Sequence, residues 1–145
     1  MQKEDNSIKN EKESSHKGHG KILIMDDQKA ILKMVRRMLK RMGYESDTVT
    51  DGDQAIELYH DAYDSDDPYE LVILDLTVPG GKGGAKTIPE LLKINPNVKA
   101  LVSSGYSNDP LMANYQDCGF CGVVPKPYTK QQLSDVLNKI FGTEK

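Results

Sequence analysis

The sequence predicts an α/β fold, a parallel sheet covered by helices on both faces, and three observations carry that prediction. Continuous apolar runs of strand length, such as Ile22-Leu23-Ile24-Met25 and Leu71-Val72-Ile73-Leu74, alternate with stretches whose apolar residues recur at helical spacing. Five strand-like runs alternate with five helical ones, which implies right-handed crossovers. Most of the strand runs end at polar or charged residues, and in such sheets function gathers outside the carboxyl ends of the strands.

The elements follow in order. After Ile22 to Met25, the residues Ile31, Met34, Val35, Met38, Leu39 and Met42 recur at helical spacing, and Gly43 closes that helix. The methionines in this row read as core. Tyr44 to Val49 is a second strand, Asp51-Gly52 punctuates the chain, and Ala55, Ile56, Leu58 and Tyr59 mark a second helix. Leu71 to Leu74 is a buried strand ending directly at Asp75. A Gly-rich loop follows, then a helix around Leu91 and Leu92, which Pro89 is expected to start late or kink. Asn95-Pro96-Asn97 forms a turn before a fourth strand, Val98 to Ser103. A short helix is expected over roughly Pro110 to Asp117 and a fifth strand over Gly122 to Pro125. The last helix carries Leu133, Val136, Leu137, Ile140 and Phe141.

Composition narrows the function. The 145 residues suit one domain, expected over residues 21–142. A net charge of −3 argues against a nucleic-acid partner gripped through its phosphates. No apolar stretch approaches the roughly 20 residues that span a bilayer, and no apolar signal core opens the chain. A cytoplasmic protein without membrane contact is the expectation. Residues 1–20 are almost wholly polar, with four lysines balancing four acids, and read as a disordered tail or linker. His16 and His19 fall in it and read as solvated. Cys118 and Cys121 form a lone C-x-x-C without the second pair a zinc site needs, so they read as incidental packing thiols.

The strand ends hold a particular set of groups: Asp26-Asp27 after the first, Asp75 after the third, Ser103-Ser104 at the fourth and Lys126-Pro127 after the fifth. A single Asp there would ordinarily cap a helix. Capping does not account for three acids, a hydroxyl and a lysine on four strand ends. In a parallel sheet they converge, and carboxylates about 5 Å apart repel by about 3 kcal/mol per pair at an effective dielectric near 20. Such a cluster holds protons or a cation. Oxygen ligands with room for water and a phosphoryl oxygen suit Mg²⁺.

Met25-Asp26-Asp27, Leu74-Asp75-Leu76-Thr77-Val78-Pro79-Gly80, Ser103-Ser104-Gly105 and Lys126-Pro127-Tyr128 resemble, in order and spacing, the motif set of response-regulator receiver domains. The resemblance runs from about Lys21 to Phe141. It implies a flavodoxin-like (βα)5 doubly wound parallel sheet of order 2-1-3-4-5 and a role in two-component signal transduction. It further implies that Asp75 accepts a phosphoryl group from a phosphohistidine on a sensor histidine kinase or phosphotransfer protein. Asp27 and Asp75 would ligate Mg²⁺ (with Mn²⁺ as a substitute), Asp26 would act mostly through water, and Thr77 would offer its backbone carbonyl. Lys126 would neutralise the transferring group, aided by a cis Lys126-Pro127 bond. Ser104, preferred over Ser103 because Gly105 follows it, would bind the new phosphoryl oxygens. The resemblance implies a monomer or weak dimer that catalyses its own phosphorylation and dephosphorylation rather than an enzyme with a separate substrate. Phosphorylation would be read at the face built from the fourth helix, fifth strand and fifth helix.

Departures from the pattern matter too. Val123 occupies the place where many receivers carry a switching aromatic ring, and nearby Phe120 reads as core. Thr77 and Tyr106 sit where receivers tune the access of attacking water, and the bulk of Tyr106 is expected to slow dephosphorylation. The loop from Thr77 to Gly84 could alone cradle a cofactor phosphate, which makes a flavodoxin-like cofactor binder the alternative. Asp26-Asp27 stands against it, occupying the place of such a phosphate loop. A small-phosphoester phosphatase would need a second acid where Gln28 stands. The stretches 78–84 and 103–107 look most like receivers attached to hybrid sensor histidine kinases, and residues 1–20 would suit a linker from one. Met1 is equally consistent with a natural start, and no DNA-binding output segment is expected after Phe141.

Overall fold

Unbroken aliphatic runs favour extended chain that is buried on both faces, and the central strands have that character. The computed structural model describes residues 20–105 and 110–142. The predicted linker, apart from Gly20, lies outside the described residues, as do His16, His19, Tyr106 and Ser107. The elements run β1 (Lys21–Met25), α1 (Lys29–Arg41), β2 (Glu45–Val49), α2 (Gly52–Tyr63), β3 (Tyr69–Asp75), α3 (Gly84–Ile94), β4 (Ala100–Ser104), α4 (Pro110–Ala113), β5 (Gly122–Pro125) and α5 (Lys130–Phe141). All strand pairings are parallel and the order is β2-β1-β3-β4-β5, the flavodoxin-like arrangement. The chain reverses its direction of winding between β1 and β3, which opens a crevice at their carboxyl ends.

Alternation along the strands divides the core in two. Ile22, Ile24, Leu71, Ile73 and Leu101 face α1 and α5, meeting Leu32, Val35, Leu39, Leu133 and Leu137. Leu23, Met25, Val72, Leu74 and Val102 face α2 and α3, meeting Ala55, Tyr59, Ile88 and Leu91. Each fully buried Leu or Ile contributes roughly 1.5–3 kcal/mol. On α1 the predicted Val35 and Leu39 are buried, Leu32 joins them, and Met34, Met38 and Met42 pack half-buried at the cluster's margin.

Two elements differ from the sequence expectation. α3 starts at Gly84, ahead of Pro89 rather than after it. Pro89 is exposed, as is Ala85, whose carbonyl Pro89 leaves without an amide partner, so water can satisfy it. α4 is a single turn, Pro110–Ala113, not a helix reaching Asp117. Beyond it successive tight turns link Asp117 N–H to Asn114 O (3.1 Å), Cys118 N–H to Tyr115 O (3.2 Å) and Gly119 N–H to Gln116 O (3.1 Å). Of residues 114–117 only Tyr115 packs against the core, so little burial sustains an α-helix there. Strand ends also move slightly: β2 starts at Glu45, β3 at Tyr69 and β4 at Ala100.

Candidate active site

The register of the sheet places the chemistry. Asp75 is paired with Ser103 across β3 and β4, and Ser104 with Pro125 across β4 and β5. The backbone continues these pairings past the strand ends: Leu76 N–H donates to Ser103 O (2.8 Å) and Lys126 N–H to Ser104 O (2.9 Å). On the other side Asp26 N–H donates to Val49 O (3.1 Å). Its carboxylate Oδ1 accepts from Gln28 N–H (2.9 Å), which fixes the side chain at the end of β1.

These anchors bring Asp26, Asp27 and Asp75 together, with one carboxylate oxygen of each within 4.8 Å of the others. Lys126 Nζ lies 3.0 Å from Asp26 Oδ2 and 3.3 Å from Asp75 Oδ1. Asp26 and Asp75 are buried at 2% and 4% exposure, while Asp27 is exposed. Three acids against one ammonium leave the cluster short of positive charge. Asp75 shows the consequence, its pKa pushed up from 3.8 to about 6 by burial and then by the charge of Asp26, against the pull of Lys126. Burial alone would lower the pKa of Lys126, but its hydrogen bond to Asp26 and the charges of Asp75 and Asp26 raise it on balance. The buried Tyr128 hydroxyl is likewise raised, by burial and then by Asp26 and Asp75.

Of the predicted residues, Asp27, Asp75, Thr77, Ser104 and Lys126 line one open cleft of ≈ 470 Å³, and Asp26, buried at 2% exposure, is not part of its lining. Ser104 reaches the cleft lining and Ser103 does not. The Lys126-Pro127 bond is cis. Gln28 and Ile31 also line the cleft and were missed as site residues. Their position directly after the acid pair, at the start of α1, was the available signal. An all-oxygen donor set of carboxylates, short of positive charge and open to water, fits a hard divalent cation. No helix among the described residues is long and apolar enough to cross a membrane.

The glycines after Asp75 serve packing. A Cβ on Gly83 would fall 2.4 Å from Leu76 O, so only glycine lets the loop close against the end of β3. Lys82 O accepts from Gly52 N–H (2.8 Å), and Lys82 Nζ lies 3.0 Å from Asp53, which ties the same loop to α2. Gly83→Ala is expected to destabilise the domain by about 1–3 kcal/mol through this backbone clash. Thermal melting checks it, and an unchanged Tm would refute the packing role. Val123 is half-buried on β5 beside Pro125 and Val136. Phe120 is core. Cys118 packs half-buried against the core, but Cys121 is exposed, so only the first is a packing thiol.

A doubly wound parallel sheet whose carboxyl edge gathers three carboxylates, a hydroxyl and a lysine defines a class of α/β domain with an acidic cleft at the switch point of strand order. Residues 22–138 match the family model of the response regulator receiver domain, and the chain belongs to that family. The chemotaxis protein CheY of Thermotoga maritima is 27% identical over 121 residues, which cover 83% of this chain and 96% of that protein. Sensor kinase CckA of Brucella abortus is 26% identical over 131 residues, which cover 90% of this chain and 13% of the kinase. A solved receiver domain of the sensor histidine kinase PA1611 of Pseudomonas aeruginosa, described with a magnesium ion coordinated in its active site cleft, shares the fold. Its TM-score is 0.73 at 20% identity, with 86% of this chain and 98% of that one covered.

Proposed function

We propose that Asp75 is the phosphoacceptor of this receiver domain, taking its phosphoryl group from a phosphohistidine on a sensor histidine kinase or phosphotransfer protein. The observation that carries the reading is the meeting of three carboxylates within 4.8 Å with Lys126 Nζ held 3.0 Å and 3.3 Å from two of them. A Mg²⁺ ion held by Asp27, Asp75, the Thr77 carbonyl and, through water, Asp26 would supply positive charge for the phosphoryl oxygens. One carboxylate oxygen of Asp75 attacks phosphorus as the bond to the donor's imidazole nitrogen breaks, and that nitrogen keeps the electron pair. Lys126 neutralises charge on the transferring group from a fixed position, which is most of what phosphoryl transfer asks of a protein. Ser104 donates a hydrogen bond to the phosphoryl oxygens of the product. The same groups, with water in place of the donor, catalyse the domain's own dephosphorylation. The domain acts in the cytoplasm, as a monomer or weak dimer and without a nucleic-acid contact. With no aromatic ring at Val123, the new state is read through the Ser104 loop and the α4-β5-α5 face.

The similarity to CckA and the loop patterns of residues 78–84 and 103–107 favour a receiver of the hybrid-kinase kind. Incubation with acetyl phosphate and Mg²⁺ followed by intact mass tests the acceptor. The expected result is a gain of one phosphoryl group, lost with a chelator and lost in Asp75→Asn. Labelling that persists in Asp75→Asn would overturn the assignment.

A further inference from the structure

α1 carries a second functional feature, independent of the acceptor cleft. Lys29, Lys33, Arg36, Arg37, Lys40 and Arg41 are all exposed, and the helix contains no acidic residue. Each has another of the set three or four residues away, and with the adjacent pairs Arg36-Arg37 and Lys40-Arg41 they form one broad band of like charge on the solvent side. Among the described residues none of the six makes an ion pair. Lys29 and Lys33 stand in the first turns, where cations oppose the helix dipole. The Gln28 side chain makes no capping hydrogen bond that would offset them. Lys40 and Arg41, in the last turn, favour the dipole, but six like charges crowded on one helix of a chain of net −3 call for an external partner.

The band borders a groove of ≈ 570 Å³ between α1 and the end of β2. Ala30 is exposed along it, Leu32 and Val49, 6% and 7% exposed, form its nearly buried floor, and Lys29, Lys33 and Arg36 line it as cations. Apolar surface rimmed by polar groups is the composition of a protein interface. A phosphate lattice or lipid surface fits it less well. The adjoining hollow, which Arg36 and Lys40 also line, contains Glu45 and Asp47, and these would repel a continuous polyanion. The chain's own residues 1–19 are no match, since their four lysines cancel four acids and they are nearly devoid of apolar side chains.

We infer that the α1–β2 groove is a docking surface for an acidic protein partner, one whose contact segment interleaves carboxylates with apolar residues. The carboxylates meet Lys33 and Arg36, and the apolar side chains fill the groove over Leu32 and Val49.

The probe is a synthetic helical peptide about as long as α1, with Glu and Leu on one face, titrated into the full chain and followed by amide chemical shifts. Saturable binding is expected, with shifts concentrated on α1 and β2 and affinity reduced at least tenfold in Lys33→Glu/Arg36→Glu. A counterpart peptide with Lys for Glu should not bind. Single-stranded DNA and phosphatidylserine vesicles run as competing arms, and tighter binding of either than of the acidic peptide would overturn the assignment. So would absence of saturable binding, or equal affinity in the double variant. The double variant should melt no lower than the parent, because like-charge repulsion along α1 is relieved, and should still be labelled by acetyl phosphate. If it melts lower, Lys33→Gln/Arg36→Gln replaces it with the same criteria.

Discussion

Lys126→Ala is expected to lower stability by about 3–5 kcal/mol at pH 8 in the absence of divalent cations, the cost of leaving buried carboxylates without their ammonium. The side chain is 12% exposed and reaches both Asp26 and Asp75, so nearby solvent offers little replacement. The sign with pH follows from Asp75. Its pKa already stands at about 6 with Lys126 pulling it down, and removing the lysine raises it further. Protons then substitute for the lost ammonium, so the destabilisation is largest above that raised pKa and fades as pH falls below it. Urea titrations at pH 8 and pH 5 check both arms. Equal stability of variant and parent at pH 8 would mean that the ammonium does not compensate the cluster. Acetyl phosphate labelling should fall about 10²–10³-fold in the same variant, as for loss of a donor to developing charge.

Asp75→Asn is expected to have the opposite effect, making the metal-free domain more stable at neutral pH. A carboxyl whose pKa rises from 3.8 to about 6 on folding takes up protons as the chain folds. The folded state is therefore penalised above pH 6, by at most about 3 kcal/mol for a shift of about two units, and the penalty is relieved as pH falls toward 4. The variant should exceed the parent by up to that amount at pH 7.5, and the two should converge near pH 4. Added Mg²⁺ should narrow the gap at pH 7.5, because it binds the folded parent more tightly than the variant. A variant that is less stable at pH 7.5 would show that the Asp75–Lys126 attraction outweighs burial. The two substitutions share a contact, so their effects should not add, and Asp75→Asn should recover part of the loss caused by Lys126→Ala.

The sheet was legible because its central strands are continuous aliphatic runs, and the site because its residues stand at the ends of those runs. Asp26, Asp27, Asp75, Ser104 and Lys126 needed only a parallel sheet to meet at one edge. Their pairing was not legible. Asp26 and Asp27 are adjacent and alike, and only the backbone geometry buries the first against Lys126 while leaving the second in solvent. The late start expected of α3 fails because Pro89 breaks a helix only where its missing amide matters, and an exposed face tolerates it. α4 was overextended because its sequence lacks any strong stop signal before Gly119, whose φ of 102° marks the true end of the turns. The glycines of the loop after Asp75 could in isolation have been a phosphate cradle, the alternative that Asp26-Asp27 argued against, and Gly83 answers to a carbonyl inside the protein.

The two outer strands have a consequence for how this domain tolerates neighbours. β2 at one margin reads Glu-Ser-Asp-Thr-Val, with Glu45 exposed and Asp47 engaged by the Tyr69 hydroxyl at 2.6 Å. β5 at the other margin has four residues and ends in Pro125, which has no amide to offer. Neither margin is a long apolar template onto which another chain could add a strand. Crowded with its own copies or tethered beside other domains, the sheet resists edge-to-edge aggregation. A partner that adds a strand to either margin is thereby disfavoured.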